Sequence, residues 1–309
     1  MSDIQLFRLA NGVAHELSGK AASIEKHLQS LIEGQMPVFL GVRFLASEYG
    51  TGKTHKGRID SLGIDENNCP VIVEYKCHAN ENVINQGLFY LDWLLDHQAE
   101  FKWLVMEGLG KEIAESIDWA GTRLLCIASD FTKFDRHAVQ QIPRNVELIR
   151  YKLFHDELLL LELVNSVSVS DARTAKGTST ESGGDAKPKP TSKDKTAEEQ
   201  LAAAPQDIKD LYATLSSYLL SLGDDVQERH LKLYTAFRTL KNFACVIPLK
   251  GRLVLMLKVD PDTVALEDGF SRDTRGIGTW GTGDLEVVLR THADFIKAKP
   301  LIERSYNES

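Results

Sequence analysis

Cysteine is scarce in this chain of 309 residues, and its few cysteines are scattered. Disulfide frameworks and structural zinc sites depend on closely spaced cysteine and histidine ligands. Here there is no CxxC spacing and no Cys/His cluster, so neither kind of site is indicated. We expect reduced thiols, mostly buried in strands, at the four positions Cys69, Cys77, Cys126 and Cys245.

Long apolar runs are also missing. No stretch approaches the roughly 18 apolar residues that would span a bilayer. The N-terminal residues MSDIQLFRLANG lack the basic region and apolar core of a secretory signal. We therefore expect a cytoplasmic protein with no membrane partner, in keeping with an apolar fraction of 43% and a charged fraction of 26%.

An excess of positive charge is absent as well. The chain has 36 Lys and Arg against 44 Asp and Glu, a net charge of -8. This balance argues against a protein that binds nucleic acid over its whole surface. It leaves room for a local basic cleft that would steer a phosphodiester substrate.

The length and composition predict two domains. Residues 166–200 are rich in Ser, Thr, Gly, Lys and Pro and have almost no large apolar side chains. Such a segment cannot bury a core, so we expect a disordered linker. It separates an N-terminal domain, residues 1–165, from a C-terminal domain, residues 201–309.

The most informative stretch is residues 57–76, GRIDSLGIDENNCPVIVEYK, which has the pattern of a β-hairpin. With its turn centred on Asn67, paired residue numbers sum to 134. Asp60 then lies opposite Glu74, Leu62 opposite Ile72 and Arg58 opposite Lys76, and all six side chains share one face. Two opposed carboxylates repel each other unless a cation lies between them. A divalent metal held by Asp60 and Glu74 would remove the repulsion, whereas a solvated charge cluster is the plainer interpretation.

Basic residues gather near this hairpin, namely Lys53, Lys56, Arg58 and Lys76. Gly52-Lys53-Thr54 resembles part of a phosphate-binding loop. That loop would need a glycine where Ser47 stands and a helix directly afterwards, and here a strand is predicted to follow. We expect a flexible basic loop that contacts substrate.

The rest of the N-terminal domain alternates between helical and strand patterns. Helical spacing is present over residues 12–34, including Glu25, and over 80–106 as one long helix or two joined ones, with a short helix at 133–141. Strands are predicted at 38–45, 122–128 and 146–151, and residues 158–164 fit either a strand or a helix. This order favours an α/β fold with a mixed central sheet flanked by helices. Gln86 and Tyr90 are spaced i, i+4, so they share a helix face.

The C-terminal domain has the pattern of a smaller α+β fold. A helix is predicted at 204–222 and another at 292–306, with strands at 231–237, 243–248, 252–259 and 284–289. Residues 276–281, GIGTWG, match a dinucleotide-binding motif by letter, but such a motif must open a helix and this one leads into a strand. We predict instead a mobile loop that makes an aromatic contact through Trp280.

Three short motifs together resemble the PD-(D/E)xK nuclease superfamily, in particular its RecB-like and NucS-like endonuclease branch. They are GRID at 57–60, VEYK at 73–76 and the QxxxY pattern of Gln86 and Tyr90. The resemblance covers roughly residues 20–130, and the first motif lacks the proline that names the superfamily. It implies a restriction-endonuclease-like core in which Asp60 and Glu74 bind Mg²⁺ or Mn²⁺ and Lys76 orients or helps to deprotonate the attacking water.

The same resemblance implies further roles. Glu25 matches an acidic residue of the first helix, with Glu48 as a rival third acid, while Gln86 and Tyr90 shape the cleft and contact nucleic acid. The C-terminal part resembles a domain of unknown function found behind such nucleases, often labelled "predicted transport protein", and we assign it substrate or partner recognition.

These observations lead to two hypotheses. The first is a metal-dependent DNA endonuclease of DNA repair or of defence against foreign DNA, with RNA as another potential substrate; paired cuts would favour a homodimer. The second is a non-catalytic module that uses a nuclease fold to bind nucleic acid or protein. The two carboxylates favour the first hypothesis, because a binding surface has no need to hold them together.

Overall fold

The computed structural model describes residues 4–52, 56–77, 82–155, 157–167, 196–277 and 279–309. The chain divides into two compact units, residues 1–167 and 168–309. Most of the predicted linker, residues 168–195, lies outside the described residues. Among the described residues, no helix combines the length and the apolar character needed to cross a membrane.

A mixed sheet forms the centre of the N-terminal unit. Its strands are β3 (Gly19–Lys20), β4 (Val42–Gly50), β5 (Arg58–Asp65), β6 (Pro70–Lys76), β7 (Arg123–Ala128), β8 (Asn145–Phe154) and β9 (Leu158–Val167). The order across the sheet is β3-β8-β7-β6-β5-β4, and β9 also pairs with β8. Strands β6, β7 and β8 are parallel to one another, and the other pairings are antiparallel. The predicted α/β class with a mixed central sheet is confirmed.

Helices flank this sheet. They are α1 (Glu25–Gly34), α2 (Met36–Leu40), α3 (Asn82–Asp96), α4 (Gln98–Leu109), α5 (Lys111–Glu115) and α6 (Lys133–Gln141), with a 3-10 turn at Trp119–Gly121. Helix α3 packs on β6 and β7 through an apolar core that includes Leu91, Leu94 and Leu124.

The hairpin prediction is confirmed in its register. Leu62 pairs with Ile72, and Ser61 pairs with Val73, so paired numbers sum to 134. Asp65 closes the turn, because its Oδ1 accepts hydrogen bonds from the backbone N–H groups of Asn67 (2.8 Å) and Cys69 (2.9 Å). The predicted helix at 133–141 and the strands at 122–128 and 146–151 are also present, and residues 158–167 form a strand.

Two predictions for the N-terminal unit are wrong in their bounds. Residues 12–34 are not one helix, because β1 (Leu6–Ala10) and β2 (Val13–Leu17) form a separate hairpin and α1 begins only at Glu25. Asn11 and Gly12 both have positive φ values, which suit a tight hairpin turn and prevent a helix from starting there. The strand predicted at 38–45 begins at Val42, because Pro37 lies in the first turn of α2, where its fixed φ suits a helix.

The C-terminal unit has an antiparallel sheet with helices on one face. Its strands, in the spatial order β10-β11-β12-β13-β15-β14, are β10 (Gln227–His230), β11 (Thr235–Arg238), β12 (Asn242–Leu249), β13 (Arg252–Leu257), β15 (Leu285–Leu289) and β14 (Ser271–Asp273). Its helices are α7 (Ala197–Ala202), α8 (Gln206–Leu220) and α9 (His292–Glu308), with a 3-10 turn at Pro261–Thr263. The core between helices and sheet includes Leu215, Leu255 and Ile302.

This unit also departs from the predictions at two points. The strand predicted at 231–237 is shorter, since residues 231–234 form the turn between β10 and β11. Helix α7 contains residues 197–200, which composition placed in the linker. Its start is fixed by a capping box, in which Thr196 and Glu199 each accept a hydrogen bond from the other's backbone N–H.

Candidate active site

The hairpin opens at the end that carries the acidic residues. The β5–β6 pairing stops at Ser61 and Val73. Beyond that point the backbone N–H of Asp60 donates to Glu74 Oε1 (3.2 Å), and the backbone N–H of Tyr75 donates to Asp60 Oδ2 (3.1 Å). Side-chain carboxylates therefore replace carbonyl oxygens in the ladder, which holds both acids against the opened strands.

The two carboxyl groups lie in surroundings that disfavour their charge. Glu74 is fully buried. Burial, and next to it the charge of Asp60, raises the pKa of Glu74 to about 9. Burial also raises the pKa of Asp60, against the hydrogen bond from the Tyr75 backbone and the charge of Lys76. A buried pair of like charges stays ionised only if a cation compensates it.

One oxygen of the pair lacks a partner. Among the described residues, Glu74 Oε2 is buried and has no hydrogen-bond partner. Buried polar atoms are nearly always satisfied, so an orphaned carboxylate oxygen beside a second carboxylate indicates room for a ligand. Carboxylate oxygens are the ligands that Mg²⁺ and Mn²⁺ prefer. The donor set of Asp60 and Glu74 therefore fits such an ion.

Lys76 lies at the end of β6 and is held by the first helix. Its Nζ donates to Glu25 Oε2 at 2.8 Å, so residues far apart in the sequence meet across the site. Burial lowers the pKa of Lys76, but the bond with Glu25 and the charges of Asp60 and Glu74 outweigh that effect and leave the pKa raised. Lys76 is therefore a cation throughout the neutral pH range.

The rival third acid, Glu48, has other partners. It lies on β4, where it forms an ion pair with Lys26 at 3.0 Å and another with Arg58. Burial acts to raise the pKa of Glu48, but the hydrogen bond and charge of Lys26 and the charge of Arg58 outweigh it, so the pKa is lowered. Arg58 was predicted to lie opposite Lys76, but its side chain forms an ion pair with Glu48.

Sequence reasoning missed a polar network behind the acids. Gln29 of α1 is buried, and its Nε2 donates to the backbone oxygen of Asp60 (2.7 Å). Glu33, one turn further along, accepts from the hydroxyl of Ser61 (2.6 Å), and the same Ser61 oxygen lies 3.1 Å from the hydroxyl of Tyr75. Gln29 and Glu33 follow Glu25 at intervals of four, so their common helix face was a usable sequence signal.

Gln86 and Tyr90 lie on one face of α3, as predicted. The Tyr90 hydroxyl accepts from the backbone N–H of Arg58 (3.2 Å) and from Gln86 Nε2 (3.3 Å). Tyr90 is buried and fills the space beside Gly57, where a Cβ would lie 2.4 Å from its ring. Tyr90 thus positions the start of β5, which favours a role in shaping the cleft over direct contact with nucleic acid.

The predicted basic contacts are only partly described. Lys53, with the rest of residues 53–55, lies outside the described residues. Lys56 is exposed and has a positive φ of 50°, just before the strand that carries Asp60. The described residues contain no group of three or more His, Cys, Asp or Glu side chains arranged to hold a metal. Asp60 and Glu74 therefore stand as a pair, with the charges of Glu25 and Lys76 beside them.

Residues 197–309 match the model of a domain of unknown function (DUF5655), which agrees with the resemblance expected for the C-terminal part. An uncharacterized protein of Haemophilus influenzae is 24% identical over 293 residues, which is 93% of this chain and 94% of that protein.

Two solved structures are similar to part of the chain. A repair endonuclease from Pyrococcus abyssi is 18% identical with a TM-score of 0.28, and 44% of this chain covers 50% of that chain. An EndoMS-dsDNA2 complex is 17% identical with a TM-score of 0.25, and 44% of this chain covers 47% of that chain. The chain thus spans about half the length of each, and at these TM-scores neither likeness bears on the chemistry of the site.

Proposed function

We propose that the N-terminal unit is a metal-dependent hydrolase of phosphodiester bonds, acting as a DNA endonuclease in repair or in defence against foreign DNA. The observation that carries the proposal is the pair of Asp60, which is partly buried, and Glu74, which is fully buried. Both carboxyl groups are bonded to the opened hairpin, and one oxygen of Glu74 has no partner among the described residues. A purely structural site would not keep two such groups together, because each raises the energy of the other's charge.

Asp60 and Glu74 would hold Mg²⁺ or Mn²⁺. Such an ion keeps several waters, and when bound it lowers the pKa of water and neutralises phosphate charge. The protein's part is to fix both carboxylates before substrate arrives. The backbone N–H of Tyr75 orients Asp60, the backbone N–H of Asp60 orients Glu74, and Gln29 anchors the Asp60 backbone.

Lys76 would act as a cation and not as a base. Its raised pKa keeps the ammonium charged at neutral pH, so it can donate to a phosphate oxygen or to an attacking water but cannot accept a proton. Glu25 holds the ammonium at 2.8 Å and thereby sets its direction. Glu25 is a positioning residue in this proposal.

The test is cleavage of labelled single-stranded, duplex and flap DNAs and of RNA, with Mg²⁺, Mn²⁺ or EDTA. We expect metal-dependent cutting by the wild type and a loss of at least about a hundredfold in Asp60→Asn, Glu74→Gln and Lys76→Met. Glu112→Gln, an exposed change on α5, is the matched control and keeps full activity. Cutting that survives all three site variants would contradict the proposal, and metal-independent binding without a product would favour the non-catalytic alternative.

A further inference from the structure

The face of the C-terminal sheet opposite the helices has an apolar floor of its own. In β13, alternate residues such as Leu253 and Leu255 face the helical core, whereas Val254 and Met256 point the other way. Val254 and Met256 form a second cluster that also contains Val288. This second face is the floor of two adjoining cavities of about 300 and 220 Å³, which share lining residues Arg252, Arg272 and Glu286.

Two arginines stand at facing positions just beyond the end of the β13–β15 ladder. The β13–β15 register pairs Val254 with Val288 and Leu253 with Leu289, so Arg252 and Arg290 come side by side one residue beyond. Both line the larger cavity. Two like charges at opposed positions of a sheet repel each other. As with the acidic pair of the N-terminal unit, a ligand of opposite charge would relieve the repulsion.

The other charges do not cancel this pair. Arg272 is matched with Glu286 across β14 and β15, with an Nη2 to Oε2 distance of 2.6 Å. Arg290 donates from Nη1 to the backbone oxygen of Gly269 at 2.7 Å, and its charge also interacts with the carboxylate of Asp294. Among the described residues, the side chain of Arg252 has neither an ion-pair nor a hydrogen-bond partner, and Asp268 is the remaining carboxylate that lines the cavities. Arg272 and Arg290 thus each have a carboxylate nearby, whereas Arg252 has no ion-pair partner among the described residues, which favours an anionic ligand at Arg252.

An exposed aromatic side chain lines the smaller of the two cavities. Trp280 follows β14 in the loop that leads to β15, is 41% exposed and lines the smaller cavity together with Arg252. Guanidinium groups bind phosphate through paired hydrogen bonds, and an exposed indole offers a surface on which a nucleobase stacks. The sequence around Trp280 does not fit a dinucleotide-binding site, but the position of Trp280 at the smaller cavity suits it to stack against a base.

We propose that this surface, the outer groove bordered by Arg252, Arg272, Arg290 and Trp280, binds a single strand of nucleic acid. The phosphates would lie at Arg252 and Arg290, and a base would stack on Trp280. A strand is favoured over a single nucleotide because the two cavities adjoin and run from Trp280 past Arg252 to Arg290. The proposal depends on the C-terminal unit alone and not on hydrolysis by the other unit.

The test measures binding of a fluorescein-labelled oligothymidylate to the full-length chain in EDTA, by fluorescence anisotropy. We expect Arg252→Ala and Trp280→Ala each to weaken binding about fivefold or more. Lys209→Ala removes one positive charge from α8, which packs on the opposite face, and is expected to change the affinity less than twofold. Thermal unfolding of each variant checks that the fold is intact, and both groove side chains lie at the surface.

Competition identifies the ligand class. An unlabelled strand is expected to displace the probe at far lower concentration than thymidine monophosphate, duplex DNA or a poly-aspartate peptide. The proposal is overturned if both groove variants bind like the wild type, if the wild type does not bind, or if a nucleotide, a duplex or the acidic peptide competes as well as the strand. A wild type that binds the probe through the groove but cuts no substrate with Mg²⁺ or Mn²⁺ contradicts the proposed hydrolase alone, whereas a wild type that cuts DNA but does not bind the probe through the groove contradicts the groove alone.

Discussion

The backbone N–H of Asp60 donates a 3.2 Å hydrogen bond to the carboxyl group of Glu74, at the point where the ladder between their strands stops. The same carboxyl group is fully buried and has an oxygen without a partner among the described residues. One hydrogen bond therefore fixes an acidic side chain in a place where its own charge is unfavourable. The stability of the N-terminal unit and the proposed metal binding are linked through Glu74.

Without metal, Glu74→Gln is expected to stabilise the protein at neutral pH. Burial and Asp60 raise the folded-state pKa of Glu74 to about 9, so the folded state holds this proton more tightly than the unfolded state does. The proton bound to Glu74 therefore stabilises the folded state in full below the ordinary glutamate pKa. This stabilisation is lost as the pH rises towards 9. Between the ordinary pKa and pH 7 the loss amounts to at most about 3 kcal/mol.

Urea unfolding in EDTA at pH 5, 7 and 8 measures this effect. The wild type should lose stability with rising pH more steeply than Glu74→Gln, because glutamine carries no ionisable proton and still offers an oxygen to the Asp60 backbone. Glu112→Gln serves as the exposed control. An identical pH dependence in wild type and Glu74→Gln would show that the buried carboxyl group is not protonated as described.

Metal binding at pH 7 is expected to release protons. Mn²⁺ needs ionised ligands, and the raised pKa values of Glu74 and Asp60 mean that part of this ionisation occurs only on binding. Calorimetric titration in two buffers of different ionisation enthalpy gives the number released, which we expect to be about one. Glu74→Gln should lower the affinity at least about tenfold. Binding that is equally tight in the variant would place the metal elsewhere.

Glu25→Gln and Glu48→Gln are expected to differ in their effect on the cleavage rate. Glu25 pairs with Lys76, so its loss should reduce the cleavage rate about tenfold or more while Mn²⁺ affinity stays within about twofold. Glu48 pairs with Lys26 and Arg58, so its loss frees those cations and should leave the cleavage rate nearer to the wild-type value. The comparison needs single-turnover cleavage and Mn²⁺ titration of both variants. A large loss of metal affinity in Glu25→Gln alone would make Glu25 a ligand.

Gly57→Ala should damage the protein more than Gly50→Ala. A Cβ at Gly57 would lie 2.4 Å from the ring of Tyr90, which is buried and bonded to the backbone of Arg58, whereas a Cβ at Gly50 meets nothing within 4 Å. Forcing such a contact typically costs about 1 to 3 kcal/mol. Thermal unfolding and cleavage assays of both variants provide the measurement. Equal stability of the two would mean that Tyr90 moves aside freely.

Local sequence patterns were sufficient to predict the β5–β6 hairpin and helix α6. The alternation of apolar residues and the turn after Asp65 predicted the register of β5 and β6, because a slip by one residue would turn every apolar side chain to the wrong face. Helix α6 was predicted with the bounds that the structure has. The helix predicted over residues 12–34 was wrong at its start, because Asn11 and Gly12 form a hairpin turn at the N-terminal edge of that stretch.

Tertiary structure alone decided which charges meet. The sequence offered Glu25 as the third acid with Glu48 as its rival, and only the packing of α1 and β4 against the hairpin pairs the first with Lys76 and the second with Arg58. The orphaned oxygen of Glu74 and the adjacency of Arg252 and Arg290 likewise depend on contacts between strands. Periodicity shows which face of a helix or strand a residue occupies. Which residue it meets across that face depends on how segments distant in the sequence pack together, and periodicity carries no information about that packing.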